Sequence, residues 1–130
     1  MNLPRHVRMA ADAILGKKGE DLVALEVTKA CAFADYFLLA SGTNQRQVVA
    51  IVDAVMETLR AQQLRPGHLE GYPGQEWILL DYGSFIIHVF TTRMRAFYDL
   101  ERLWARAPVV TLPEPYRSQA RDLQLAGAAR

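Results

Sequence analysis

The chain has 130 residues, 51% apolar and 22% charged, which is enough for one packed core, too little for two, and too apolar for a disordered chain. Through Trp104 eleven basic residues meet twelve acidic ones, so no basic stripe is available to grip phosphate backbones, and strong direct nucleic-acid binding is disfavoured. The single cysteine, Cys31, permits neither an internal disulfide nor a thiolate metal site, and without a bilayer-length apolar run or a secretion-signal core the expected setting is cytoplasmic.

Val7, Ala10, Ala11, Ile14 and Leu15 recur at helical spacing, so the first element is an amphipathic helix from about Pro4 to Leu15, stopped by Gly16 and Gly19. Short β-branched or apolar runs then predict strands at Asp21 to Val27 and Asp35 to Ser41. Thr43 and Asn44 are good N-cap residues for a second helix ending near Gln63, with Val48, Val49, Ile51, Val52, Val55, Met56 and Leu59 marking one continuous apolar face. Pro66-Gly67, Gly71 and Pro73-Gly74 make the following stretch a loop.

Two runs, Trp77 to Tyr82 and Phe85 to Thr91, flank Gly83-Ser84 and read as an antiparallel hairpin. Thr91 or Thr92 caps a third helix reaching Trp104, with Met94, Phe97, Leu100, Leu103 and Trp104 as its apolar face. Its polar positions Arg95, Asp99, Glu101 and Arg102 are expected in solvent, Arg95 and Asp99 as an i,i+4 pair. The order α-β-β-α-β-β-α predicts a single α/β domain over residues 1–106, a mixed β-sheet flanked by helices. Residues 107–130, broken by Pro108, Pro113 and Pro115, read as a flexible extension.

Strand alternation divides the hairpin into two faces. Ile78, Leu80, Tyr82, Phe85, Ile87 and Val89 form the apolar, core-directed one. Trp77, Leu79 and Asp81 share the other with Ile86, His88 and Phe90, because opposed positions in a two-residue hairpin have numbers of opposite parity. Large aromatics mixed with an acid and an imidazole suit a protein interface, with Tyr98 at the boundary of the third helix extending it. In the competing structural reading, Asp81 and His88 pair with each other while Trp77 and Phe90 lie beneath a helix.

Catalysis finds little support. Ser41, Ser84 and Cys31 sit in no nucleophile motif that would complete a triad with His88 and Asp81. His6, His68 and His88 lie on separate segments without metal-ligand spacing. Ser41-Gly42 at a strand-to-helix junction resembles a phosphate-cradling turn of nucleotidyltransferases, but Leu80-Asp81-Tyr82 offers one acid where magnesium needs a pair. A nucleotide-handling enzyme on such a scaffold is therefore the alternative. No cofactor or metal is expected.

The run Asp35-Tyr36-Phe37-Leu38-Leu39-Ala40-Ser41-Gly42-Thr43-Asn44-Gln45-Arg46-Gln47-Val48, followed by Glu76-Trp77-Ile78-Leu79-Leu80-Asp81-Tyr82-Gly83, closely resembles the Iojap family of ribosomal silencing factors. Ile87-His88-Val89-Phe90 and Phe97-Tyr98-Asp99-Leu100-Glu101-Arg102-Leu103-Trp104 continue the likeness, which covers about residues 5–105. The resemblance implies a nucleotidyltransferase-like fold without the catalytic acids and a non-catalytic factor. Such a factor binds the large ribosomal subunit through ribosomal protein L-fourteen, blocks subunit joining and represses translation under nutrient limitation. It also implies a homodimer when free. Trp77, Leu79, Asp81, His88, Phe90, Tyr98 and Glu101 are the expected partner-binding residues, with Gly83 a turn requirement and Trp104 packed on the sheet. The extension after Ala107 departs from the family pattern, with Arg117 and Arg121 as candidate contacts to rRNA.

Overall fold

The computed structural model describes residues 3–29, 33–99, 102, 109 and 110. The chain runs α1 (Arg5–Gly16), β1 (Glu20–Glu26), β2 (Tyr36–Gly42), α2 (Gln45–Arg60), β3 (His68–Glu70), β4 (Trp77–Asp81), β5 (Phe85–Thr91) and α3 (Thr92–Tyr98). The five strands form one sheet in the order β1-β2-β5-β4-β3. Only β2 and β5 run parallel; every other pair is antiparallel. The mixed sheet expected from the element order is thus observed, and β2 and β5, at its centre, are buried along nearly their whole length.

α2 and α3 lie on opposite faces of the sheet, and α1 packs beside α2. A Cβ on Gly42 would touch Val48, so α2 covers the face of Leu38 and Ala40, whose strand partners are Ile87 and Val89. Ile78 and Leu80 are on this face too, by the β4–β5 register. All six are inaccessible to solvent, as are Val48, Ile51, Val52, Val55 and Leu59 of α2; this is the core face that strand alternation predicts. On the other side, α3 reaches the sheet through the hydrogen bond from Arg95 Nη1 to Ser41 Oγ at 2.9 Å.

Local chemistry sets the helix starts. Asn44 caps α2, its Oδ1 accepting from the Gln47 amide at 2.8 Å. The Gln47 side chain then ties three segments together: Oε1 accepts from the amide of Thr43, and Nε2 donates to the carbonyls of Lys17 and Lys18 beyond α1. Thr91 caps α3 by accepting from the Met94 amide. At the hairpin tip the Tyr82 amide donates to the Phe85 carbonyl at 3.0 Å. Gly83, at φ +89°, supplies the left-handed residue that a two-residue connection requires.

Three expectations are corrected. The stretch after α2 is not all loop, because His68–Glu70 pairs with β4 as an edge strand; its three residues are exposed, so no apolar alternation marks them. The third helix ends at Tyr98, with Asp99 in the left-handed region at φ 48°, and Arg102 is again helical. Its inward face is also turned: Arg95 is buried, 5% exposed, while Phe97 is 76% exposed. The Thr91 cap, with Thr92 Oγ1 bonded to the Gly42 carbonyl, fixes the phase that sends Arg95 to Ser41. Leu100, Glu101, Leu103, Trp104 and most of 107–130 lie outside the described residues, but Val109 bridges Leu25 and the Val110 amide donates to the Ala24 carbonyl at 2.8 Å. No helix among the described residues is long and apolar enough to cross a membrane.

Gly71 is the most constrained point of the connection into β4. Its φ is +82°, and a Cβ there would run into the Trp77 carbonyl. Gly71→Ala is expected to lower unfolding free energy by about 1–3 kcal/mol in urea titration, whereas Gly67→Ala, where added atoms meet only open contact, leaves it within about 1 kcal/mol. Equal effects would contradict the assigned strain.

Candidate functional site

The face of β4 and β5 that mixes aromatic and polar residues is assembled by the hairpin register Trp77↔Phe90, Leu79↔His88 and Asp81↔Ile86. Parallel pairing adds Phe37, Leu39 and Ser41 from β2, opposite Ile86, His88 and Phe90. The predicted sharing of one face by Trp77, Leu79, Asp81, Ile86, His88 and Phe90 is what the register produces. Their accessibility differs sharply. Phe90 is fully buried and His88 is 4% exposed, whereas Trp77, Leu79 and Asp81 are half-buried and Tyr98 is 50% exposed.

His88 and Phe90 therefore lie beneath the accessible surface. Both belong to β5, a central strand enclosed on both faces. Of the expected partner-binding residues, Trp77, Leu79, Asp81 and Tyr98 are brought together where a partner can reach them. Glu101 lies outside the described residues.

The buried pair organises the exposed one. The Trp77 indole N–H donates to His88 Nδ1 at 3.2 Å. The His88 ring meets Phe37 edge-on, centroids 5.0 Å apart, and stacks against Phe90 at 6.0 Å. Trp77 in turn lies 5.1 Å from Phe90 and 4.7 Å from Tyr98, which touches Phe97 edge-on. An unbroken chain of rings thus runs from β2 to α3, with geometries of the kind that add to area burial. The Asp81–His88 pair of the competing reading does not form. Asp81 Oδ1 instead accepts from the Gly83 amide at 2.8 Å and braces the turn.

This arrangement fixes the protonation of His88. Because Nδ1 accepts the indole proton, the ring is neutral and carries its own proton on Nε2. Burial among aromatic rings penalises the charged form and lowers its pKa from 6.5 to about 4. Nε2 itself is buried and has no hydrogen-bond partner among the described residues.

The Ser41-Gly42 turn is closed. Ser41 is 1% exposed and its hydroxyl accepts from Arg95, while Gly42 packs against Val48. Sequence reasoning missed Arg95, since charged side chains are rarely buried; a Thr-capped helix start four residues before it was the available signal. Residues 1–129 match the family model described as ribosomal silencing factor during starvation, RsfS. The chain belongs to the RsfS family.

An RsfS from Halalkalibacterium halodurans is 38% identical over 106 residues, covering 82% of this chain and 91% of that protein. A crystal structure of a Chromobacterium violaceum protein matches with a TM-score of 0.76 at 30% identity, over 80% of this chain and 87% of that one. A mouse protein named mitochondrial assembly of ribosomal large subunit protein 1 is 26% identical, covering 85% of this chain and 54% of that protein. The motifs that carried the resemblance in the sequence therefore belong to the family they suggested.

The lowered His88 pKa makes stability depend on pH. Between about 4 and 6.5 the unfolded chain binds more protons at this position than the folded one, so the contribution is full above pH 6.5 and is lost as pH falls through 4. The expected loss is on the order of 3 kcal/mol. His88→Gln keeps an acceptor for the indole but does not titrate. Denaturant titrations across this range should show a shallower acid decline for the variant; equal slopes would contradict the assigned burial of a neutral imidazole.

Proposed function

We propose that this chain is a non-catalytic factor that binds the large ribosomal subunit through ribosomal protein L-fourteen, blocks joining of the small subunit and represses translation when nutrients are scarce. Membership of a family of ribosomal silencing factors is the observation that carries this reading. The mouse relative's name, which refers to assembly of the ribosomal large subunit, points to the same particle.

The surface offered for docking is the strip of Leu79, Trp77 and Tyr98 with Asp81 at its edge. Trp77 suits an anchor, because its indole is already held by His88 and little side-chain freedom remains to be lost on binding. His88 and Phe90 act here from beneath, by seating that anchor. The near balance of charge through Trp104 favours docking on a protein over direct attachment to RNA. In the same reading the free chain is a cytoplasmic homodimer.

The nucleotide-handling alternative loses its motivating feature, since the Ser41 hydroxyl is occupied by Arg95 and Asp81 is engaged with the hairpin turn. Co-sedimentation with purified large subunits tests the proposal. The wild-type chain is expected to pellet with large subunits and to reduce their joining to small ones. Trp77→Ala should weaken binding by roughly tenfold or more, as expected on removing an interface anchor. Failure of the wild-type chain to bind, or binding without loss of joining, contradicts the proposal.

A further inference from the structure

α3 has seven residues, and a helix below about 12 residues does not hold itself in water. Its place on the sheet is therefore set by what it touches. Arg95 is its one buried residue, while Phe97 and Tyr98 are exposed. Met94 alone of its apolar side chains packs partly against the core. Two polar contacts to the end of β2 supply the rest of the seat. Arg95 Nη1 donates to Ser41 Oγ at 2.9 Å, and Thr92 Oγ1 donates to the Gly42 carbonyl at 3.2 Å.

The strand register shows where that seat lies. Ser41 on β2 pairs with Phe90 on β5, which pairs with Trp77 on β4. The three form one row across the sheet, on the face that α3 covers. Neighbouring strands are about 4.8 Å apart, which puts Ser41 roughly 10 Å from Trp77. Arg95 and Tyr98 stand three residues apart on α3, their Cβ atoms about 5–6 Å from each other, and their long side chains span the remainder. α3 thus bridges the row, with Arg95 on Ser41 at one end and the Tyr98 ring 4.7 Å from Trp77 at the other. Turning the helix by one residue, about 100°, would carry Tyr98 off the indole.

We infer that Arg95 is a positioning residue for docking: its hold on Ser41 places Tyr98 against Trp77, and it acts on the partner only through that ring. The inference rests on the ribosome-docking reading and adds to it a residue that the partner does not touch, since Arg95 is only 5% exposed. A buried arginine whose hydrogen bond fixes the rotation of a short helix contributes to binding by limiting what the exposed ring has left to lose.

NMR spectroscopy of the full-length chain and its binding to purified large ribosomal subunits provide the test. Arg95→Met approximates the side-chain length but donates no hydrogen bond. In this variant the nuclear Overhauser cross-peaks between the Trp77 and Tyr98 rings are expected to disappear. Its Kd should rise roughly tenfold, as much as that of Tyr98→Ala. Added to Tyr98→Ala, Arg95→Met should change the Kd by less than about twofold, because two residues acting through one contact are not additive. A general weakening of the fold would lower binding in both backgrounds. Should Arg95→Met not fold, Ser41→Ala gives the same comparisons by removing the acceptor alone. Retained cross-peaks, wild-type binding by the variant, or an equal further loss in the Tyr98→Ala background overturns the inference and leaves the docking reading standing. If the wild-type chain does not bind large subunits, the docking reading falls and the inference with it.

Discussion

The parallel pairing of β2 with β5 is the constraint on which the rest of the molecule depends. A parallel pair cannot be closed by a tight turn, so everything between the two strands has to form a crossover. Here that crossover holds α2, β3 and β4. Because β4 returns beside β5 through a two-residue turn, β5 ends up flanked on both sides, with β2 on one and β4 on the other. The flanking strands close its two edges; on the face opposite the main core, His88 and Phe90 are buried among the rings of Phe37 and Trp77.

That burial gives the accessible surface its order. A neutral imidazole packed among Phe37, Phe90 and Trp77 provides one acceptor to the outside, and the Trp77 indole takes it. The indole is then packed between Phe90 beneath and Tyr98 beside it. Gly71 permits the incoming connection to pass against the Trp77 backbone, and the Glu76 carbonyl accepts from the Thr91 amide at 2.8 Å to hold the start of β4 to the end of β5. An aromatic side chain supported from several elements has little freedom left to lose, and in the proposed docking this lowers the ordering cost of association.

Much of this was legible in the sequence because the signals were local. Period-two and period-3.6 patterns located four strands and all three helix starts, and the spacing of Tyr82, Gly83, Ser84 and Phe85 fixed the hairpin register, hence which side chains share a face. What periodicity does not carry is cover. Whether His88 faces solvent depends on the strands flanking β5 and on what lies above the sheet, both set by contacts distant in sequence. β3 escaped notice because three exposed residues have no apolar pattern, and its identity as a strand comes only from pairing with β4. Arg95 and Phe97 exchanged their expected places because polarity argues for the reverse, whereas the Thr91 cap and the Arg95–Ser41 hydrogen bond set the rotation of α3.

The central claim is that the strip beside Trp77 meets ribosomal protein L-fourteen. Site-specific photo-cross-linking addresses it most directly, with a photoreactive residue placed at Leu79 and, as a control, at Glu57, which is exposed on α2 over the opposite face of the sheet. After mixing with large ribosomal subunits and irradiation, position 79 is expected to yield a product containing ribosomal protein L-fourteen, and position 57 is not. Cross-linking from position 79 to rRNA or to another ribosomal protein, or equal capture of L-fourteen from both positions, would contradict the account.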